Sequence, residues 1–188
     1  MMVRASILFA LCAATAGALE MGAPAALQRR RALKALVGAS FAPFGAFAVS
    51  GGGKDYAEAT IKGQDFSGQN LNNKDFSGAD AVQASFSKAK LRGARFFKAD
   101  LQGADFSDAD LTSASLEGAN LEGVKLTGSV AEGTAFSQTL IDAGDITGVD
   151  FTDAVIQPYV QKEICKRKDA AGTNAVTGMS TRDSLFCP

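Results

Sequence analysis

An apolar residue falls on every fifth position from Ile61 to Ile156. The register reads Ile61, Phe66, Leu71, Phe76, Ala81, Phe86, Leu91, Phe96, Leu101, Phe106, Leu111, Leu116, Leu121, Leu126, Ala131, Phe136, Ile141, Ile146, Phe151, Ile156. Eighteen of the twenty positions are Leu, Phe or Ile. A period of five fits neither the 3.6 of a helix nor the 2 of a strand. It marks an internal repeat, and a repeat dictates a stacked architecture in which each unit buries its apolar residue against its neighbours.

The rest of the unit is equally regular. Two residues before the apolar position sits a small one, as at Ala79, Ala84, Ala89, Ala94, Ala99 and Ala104. The residue just before it is mostly polar, as at Asp65, Asn70, Asp75, Asp100, Asp105 and Asp110. Two residues after it, Gly recurs, as at Gly63, Gly68, Gly93, Gly103 and Gly118. This A-(D/N/S/K)-(L/F)-x-G unit resembles that of the pentapeptide-repeat proteins, over roughly residues 56–156. The resemblance implies an all-β fold, a right-handed quadrilateral β-helix with four units per coil. The large residue and the small one two before it would point inward.

A twenty-residue coil stacks residues twenty apart. One column is then Phe66, Phe86, Phe106, Leu126, Ile146, and the opposite one Phe76, Phe96, Leu116, Phe136, Ile156. The other two are Leu71, Leu91, Leu111, Ala131, Phe151 and Ile61, Ala81, Leu101, Leu121, Ile141. In the first half Phe occupies one opposing pair of columns and Leu mostly the other. Five coils follow, about 24 Å tall at roughly 4.8 Å per coil. No proline lies between Pro43 and Pro158, as expected where every coil needs its N–H groups for the next. Tyr56 shares the register and begins an incomplete first coil.

The N-terminal part reads as address rather than fold. Residues 1–19 resemble a signal peptide, with Arg4 ahead of the apolar run Ala5 to Ala14 and small residues at Ala14, Ala16 and Ala18. Residues 20–48 read as a plastid transit and lumen-targeting segment. There Arg29, Arg30 and Arg31 precede a second apolar run that ends in Ala46-Phe47-Ala48, which resembles a twin-arginine signal with its cleavage site. Neither run has the length of about 20 residues that a membrane span needs. Two tandem signals resemble the leaders of thylakoid-lumen proteins in complex plastids entered through the endoplasmic reticulum. Residues 49–60 would start the solenoid, 61–156 form it, and 157–188 cap it.

Gln157 to Lys168 reads as a short helix, with Tyr159, Val160, Ile164 and Cys165 available for its buried side. Once the leader and Cys12 are removed, Cys165 and Cys187 remain. An export signal and an even number of cysteines favour a disulfide between them. Two free thiols and a redox-active pair are the alternatives. The run Cys165-Lys166-Arg167 … Gly172-Thr173-Asn174 … Thr177-Gly178 … Thr181-Arg182 … Leu185 … Cys187 resembles the tail of thylakoid-lumen pentapeptide-repeat proteins.

The sequence has no His, the commonest general base and metal ligand. Its recurrent Asp residues read as solvated ladder positions rather than converging ligands. No catalytic set, cofactor site or metal site emerges, and the chain reads as a non-enzyme. Basic charge gathers at Lys88, Lys90, Arg92, Arg95 and Lys98, a candidate docking surface for an acidic partner. Phe97, Val82 and Leu140 depart from the outward-polar rule. The leading expectation is a scaffold or assembly protein of the thylakoid lumen that binds a protein complex, with no nucleic acid and no membrane span in the mature chain. A DNA-mimicking, gyrase-binding protein is one alternative. A redox-responsive protein using Cys165 and Cys187 is the other.

Overall fold

The computed structural model describes residues 56–188. The two leader segments, and residues 49–55 of the segment assigned to the solenoid's start, lie outside the described residues.

Each five-residue unit forms one side of a square coil. The N–H of the inward residue donates to a carbonyl in the next coil, as Ile61 does to Asp80 (2.8 Å) and Phe86 to Asp105 (2.7 Å). The residue before it pairs with its equivalents twenty residues away in parallel, as in Asp65 with Ser85 and Ser85 with Asp105. Each side therefore contributes little more than one residue of strand. The pairing widens to two residues only at β1 (Ser115–Leu116) and β2 (Ala135–Phe136), which lie in parallel on one side. A turn then closes on the inward residue's own carbonyl, as in Gln64 N–H to Ile61 C=O (3.1 Å). The third residue of that turn has positive φ, which Gly adopts without steric cost. Lys88 (φ 59) and Lys98 (φ 55) occupy such corners without being Gly.

The inward columns match the expected ones along most of the chain. Tyr56 already belongs to them. Its ring stacks on Phe76, which stacks on Phe96, with centroids 4.7 Å apart at both steps. On the opposite side Phe66, Phe86 and Phe106 stack at 5.1 and 4.9 Å. The two ladders meet edge to face in the middle, as Phe86 meets Phe96 at 5.6 Å. Offset stacks and edge contacts are the preferred aromatic geometries. Ala at the position two before the ring fills the remaining width, and Ala84, Ala94 and Ala104 are fully buried. Each enclosed Phe or Leu contributes about 1.5–3 kcal/mol gross, largely offset by the entropy of ordering the chain.

One unit departs from the register. Ile141 is only half-buried, while Leu140 is fully buried. The expectation that Ile141 points inward and Leu140 outward is corrected here. Residues Gln138–Asp142 form a 3-10 turn instead of a flat side. No left-handed corner occurs at Gln138, and the hydroxyl of Thr139 donates to the carbonyl of Ala119 (2.7 Å), a bond that draws this stretch onto the coil above. The tighter turn swings the neighbouring Leu140 into the shaft. Ile156, in the last side, is half-buried.

After the last side, α1 (Pro158–Ile164) lies with Val160 and Ile164 buried. It is shorter than the sequence suggests. Tyr159, expected on its buried side, is half exposed, and its hydroxyl donates to Gln138 Oε1 (3.1 Å). A strap then runs to α2 (Thr181–Ser184), where Ser180 caps the N-terminus by accepting from the Asp183 N–H (3.2 Å).

Candidate interaction surfaces and the capped end

A stacked coil leaves its last N–H and C=O groups without a following coil, and buried groups of that kind must find partners. The C-terminal strap supplies them. The Ile146 N–H donates to the carboxylate of Asp169 (3.3 Å), the Gly148 N–H to the Ala171 carbonyl (2.8 Å), and the Phe151 N–H to Ser184 Oγ (3.0 Å). Carbonyls are met from the other direction. Arg167 donates to the carbonyls of Ile141, Ala143 and Gly144 (3.1, 2.7 and 3.2 Å), next to the irregular turn, while its guanidinium also grips Asp169. That hydrogen bond from Arg167 holds the Asp169 carboxyl below the usual carboxylate range. Asn174, buried, donates through Nδ2 to the carbonyls of Gly128, Ser129 and Gly148 (3.0, 3.0 and 2.9 Å).

Cys165 and Cys187 are joined, with Cα atoms 5.5 Å apart, and close the strap into a loop across a separation of 22 residues. Loop closure of that length contributes about 3 kcal/mol in the chain-entropy picture. The strap is thus pinned at both ends and by its middle.

The recurrent Asp residues have a local task that the sequence reading missed. The carboxylate before the inward residue accepts the N–H of the residue after it. Asp105 does so with Ser107 (2.8 Å), Asp145 with Thr147 (2.9 Å) and Asp150 with Thr152 (2.9 Å). The same bond from Thr147 N–H, joined by the Thr147 hydroxyl, lowers the pKa of Asp145. The signal was present in the chain as repeated Asp-(Phe/Leu/Ile)-(Ser/Thr) triplets. Among the described residues no group of acidic or sulfur side chains is arranged to hold a metal ion.

Comparison with known proteins decides the family. The pentapeptide-repeat pattern matches residues 65–96, 90–128 and 119–157. A solved pentapeptide repeat protein from the thylakoid lumen of Arabidopsis thaliana is 43% identical, with a TM-score of 0.65, over 70% of this chain and 90% of that one. The chain belongs to the pentapeptide-repeat family. Thylakoid lumenal 15 kDa protein 1 of Arabidopsis thaliana, a chloroplast protein, is 45% identical over 49 residues, which make up 26% of this chain and 21% of that relative. A solved pentapeptide repeat protein from Nostoc is 33% identical over 46% of this chain and 71% of that one, with a TM-score of 0.43.

The family's right-handed quadrilateral β-helix determines where the five basic residues of this pentapeptide-repeat protein sit. Number its sides by their first inward residue: Ile61 first, Phe66 second, Leu71 third, Phe76 fourth. Lys88 lies on the corner between the second and third sides, Lys90 and Arg92 on the third, Arg95 on the fourth, and Lys98 on the corner that ends it. All five are exposed. They form a half-collar around one coil rather than a flat patch. Arg92 Nε lies 3.6 Å from Asp110 in the coil below, and the Lys98 ammonium sits 5.1 Å from the Phe97 ring centroid. Phe97 is 45% exposed, so the collar carries an aromatic between its last two members, Arg95 and Lys98. Val82 is half-buried.

Proposed function

We infer that this protein is a non-enzymatic scaffold of the thylakoid lumen, which docks on a membrane protein complex through the outer faces of its column. The observation that carries the reading is the exposed half-collar of Lys88, Lys90, Arg92, Arg95 and Lys98 on a rigid column. The inward side chains are committed to packing, so recognition falls to the outward ones. Cations around an exposed aromatic suit an acidic protein surface, because guanidinium groups pair with carboxylates and stack on rings. The lumenal setting is supported by the 43% identical relative from the Arabidopsis thaliana thylakoid lumen and by the tandem leader with Arg29, Arg30 and Arg31. The plastid in this reading is a complex one, entered through the endoplasmic reticulum.

Charge reversal at Lys90, Arg92 and Arg95 should leave the fold intact, since all three are exposed, Lys90 and Arg95 pair with neighbouring coils through backbone atoms, and the surface contact of Arg92 with Asp110 contributes little. It should weaken co-sedimentation with washed thylakoid membranes, most at low salt, where screening is weakest. Unchanged co-sedimentation would exclude the collar, and a wild-type protein that never associates with membrane complexes would exclude the scaffold reading itself. The leader has its own check. Protein isolated from its own cell should begin near Val49 on N-terminal sequencing, and a start before Gln28 would count against the lumenal assignment.

A further inference from the structure

The fourth side is unlike the other three. In its last three coils the outward residue before the inward one is Ser115, Ala135 and Val155. The corresponding residues are Asp105, Lys125 and Asp145 on the second side, and Asp110, Val130 and Asp150 on the third. At that position the fourth side therefore has no charge below Arg95 and no side chain larger than valine; its one charged group in those coils is the exposed Glu117, just after the inward Leu116. It is also the side where pairing widens into β1 and β2, so it is the flattest. Exposed apolar groups stand near both of its ends. Phe97 (45% exposed) lies in its second coil, below residues 75–77, and Val155 (64%) in its last, followed by Tyr159 (50%) of α1.

Charge along the column is strongly polarised. Residues 56–98 contain seven basic and four acidic residues, whereas 99–156 contain one basic and eleven acidic, a net of +3 above and −10 below. The surface that complements this gradient is the same gradient reversed. We propose that the fourth side packs against the fourth side of a second copy of this chain, with the two columns antiparallel. A two-fold axis in the plane of the side, perpendicular to the column, makes each contact twice. It sets the Arg95–Phe97 coil of one copy against the Val155–Tyr159 end of the other. Arg95 then meets the second copy's Asp153, which stands on the corner just before Val155 and is exposed. A parallel pairing would instead place the basic coil on the basic coil and the acidic stack on the acidic stack.

The contact is small. Four coils at about 4.8 Å give a side roughly 19 Å tall, and five residues span at most about 17 Å, so the face is on the order of 300 Å², well short of the roughly 800 Å² per partner that a stable complex buries. The dimer is therefore weak and dependent on concentration. The pair covers Arg95 and Phe97, while Lys88, Lys90 and Arg92 of each copy stay outward, so the dimer would offer a partner two such basic faces.

Sedimentation equilibrium on the full chain from about 5 to 500 µM brackets the affinity expected of such a contact. The mass average should climb from monomer toward dimer, and the climb should flatten in high salt. Val155→Glu and Ala135→Glu each place a carboxylate on the flat side and touch no residue of the basic collar. Each should weaken association about tenfold or more, with the thermal melt reporting that the column is intact. Arg95→Asp or Asp153→Arg alone should weaken it, and the two together should restore it. A monomer at every concentration overturns the proposal. So does association that Val155→Glu and Ala135→Glu leave unchanged, or a charge swap that fails to restore it.

Discussion

Phe96→Asp should abolish the cooperative unfolding transition of the column. Phe96 is fully enclosed, stacked on Phe76 at 4.7 Å and edge-on to Phe86 and Phe106 at 5.6 and 5.5 Å. Losing the ring alone costs about 3–5 kcal/mol. The carboxylate adds several kcal/mol more, because a closed apolar shaft offers no counter-charge and no water. A whole domain holds only about 5–15 kcal/mol. The damage also spreads, since each coil is stabilised by the coils it touches and Phe96 touches rings in three of them. Phe96→Leu is the control. It keeps an apolar side chain in the shaft and should cost about 1 kcal/mol. Thermal and denaturant melts followed by far-ultraviolet circular dichroism read both variants. Native stability in Phe96→Asp would mean that the inward register is wrong.

That register could be read from the chain because it obeys one physical demand at every repeat. A narrow shaft with no exit for water accepts only apolar side chains, and the corner favours Gly, which takes positive φ at no steric cost, although Gln83, Lys88 and Lys98 also stand at corners. Both demands recur every five residues, so a single unconventional residue such as Ala81 does not hide the pattern. Legibility fails where a feature occurs once. Leu140 and Ile141 are adjacent and both apolar, so composition could not say which enters the shaft; the 3-10 turn over Gln138–Asp142 decides it. The basic residues were visible as a run, yet their spread over two sides and two corners follows only from the coil geometry. The strap was the least legible part. Asp169, Asn174 and Ser184 carry no periodic signal. Their partners lie 23, 46 and 33 residues away in sequence, at Ile146, Gly128 and Phe151. Cysteine arithmetic found the two ends of the strap and said nothing of what it satisfies between them.

Asn174 is the residue on which that strap depends most. It is 1% exposed. Its Nδ2 meets the carbonyls of Gly128, Ser129 and Gly148, and its Oδ1 accepts the N–H groups of Val176 (2.9 Å) and Thr177 (3.1 Å). One side chain thus bridges two successive coils and shapes the turn that leads to α2. Asn174→Ala takes the donor from the Gly128 and Gly148 carbonyls, while the Ser129 carbonyl keeps the Asp150 N–H; at about 1–3 kcal/mol for each orphaned group, a loss of about 3 kcal/mol is expected. Asn174→Asp separates hydrogen bonding from packing. It keeps the shape and the Oδ1 acceptor, but turns a carboxylate toward three carbonyl oxygens, and should be at least as damaging as the alanine. The Cys165–Cys187 bridge keeps the unseated strap tethered, so the effect should appear first as local opening. Hydrogen exchange is the direct readout. The Gly148 amide, bonded to the Ala171 carbonyl, and the Phe151 amide, bonded to Ser184 Oγ, should lose protection by about two orders of magnitude, given roughly 1.4 kcal/mol per tenfold. Amides of the first coils, such as that of Phe66, should keep theirs. If Asn174→Asp left Gly148 as protected as in the wild type, the strap would be seated by packing and the disulfide, and not by this amide.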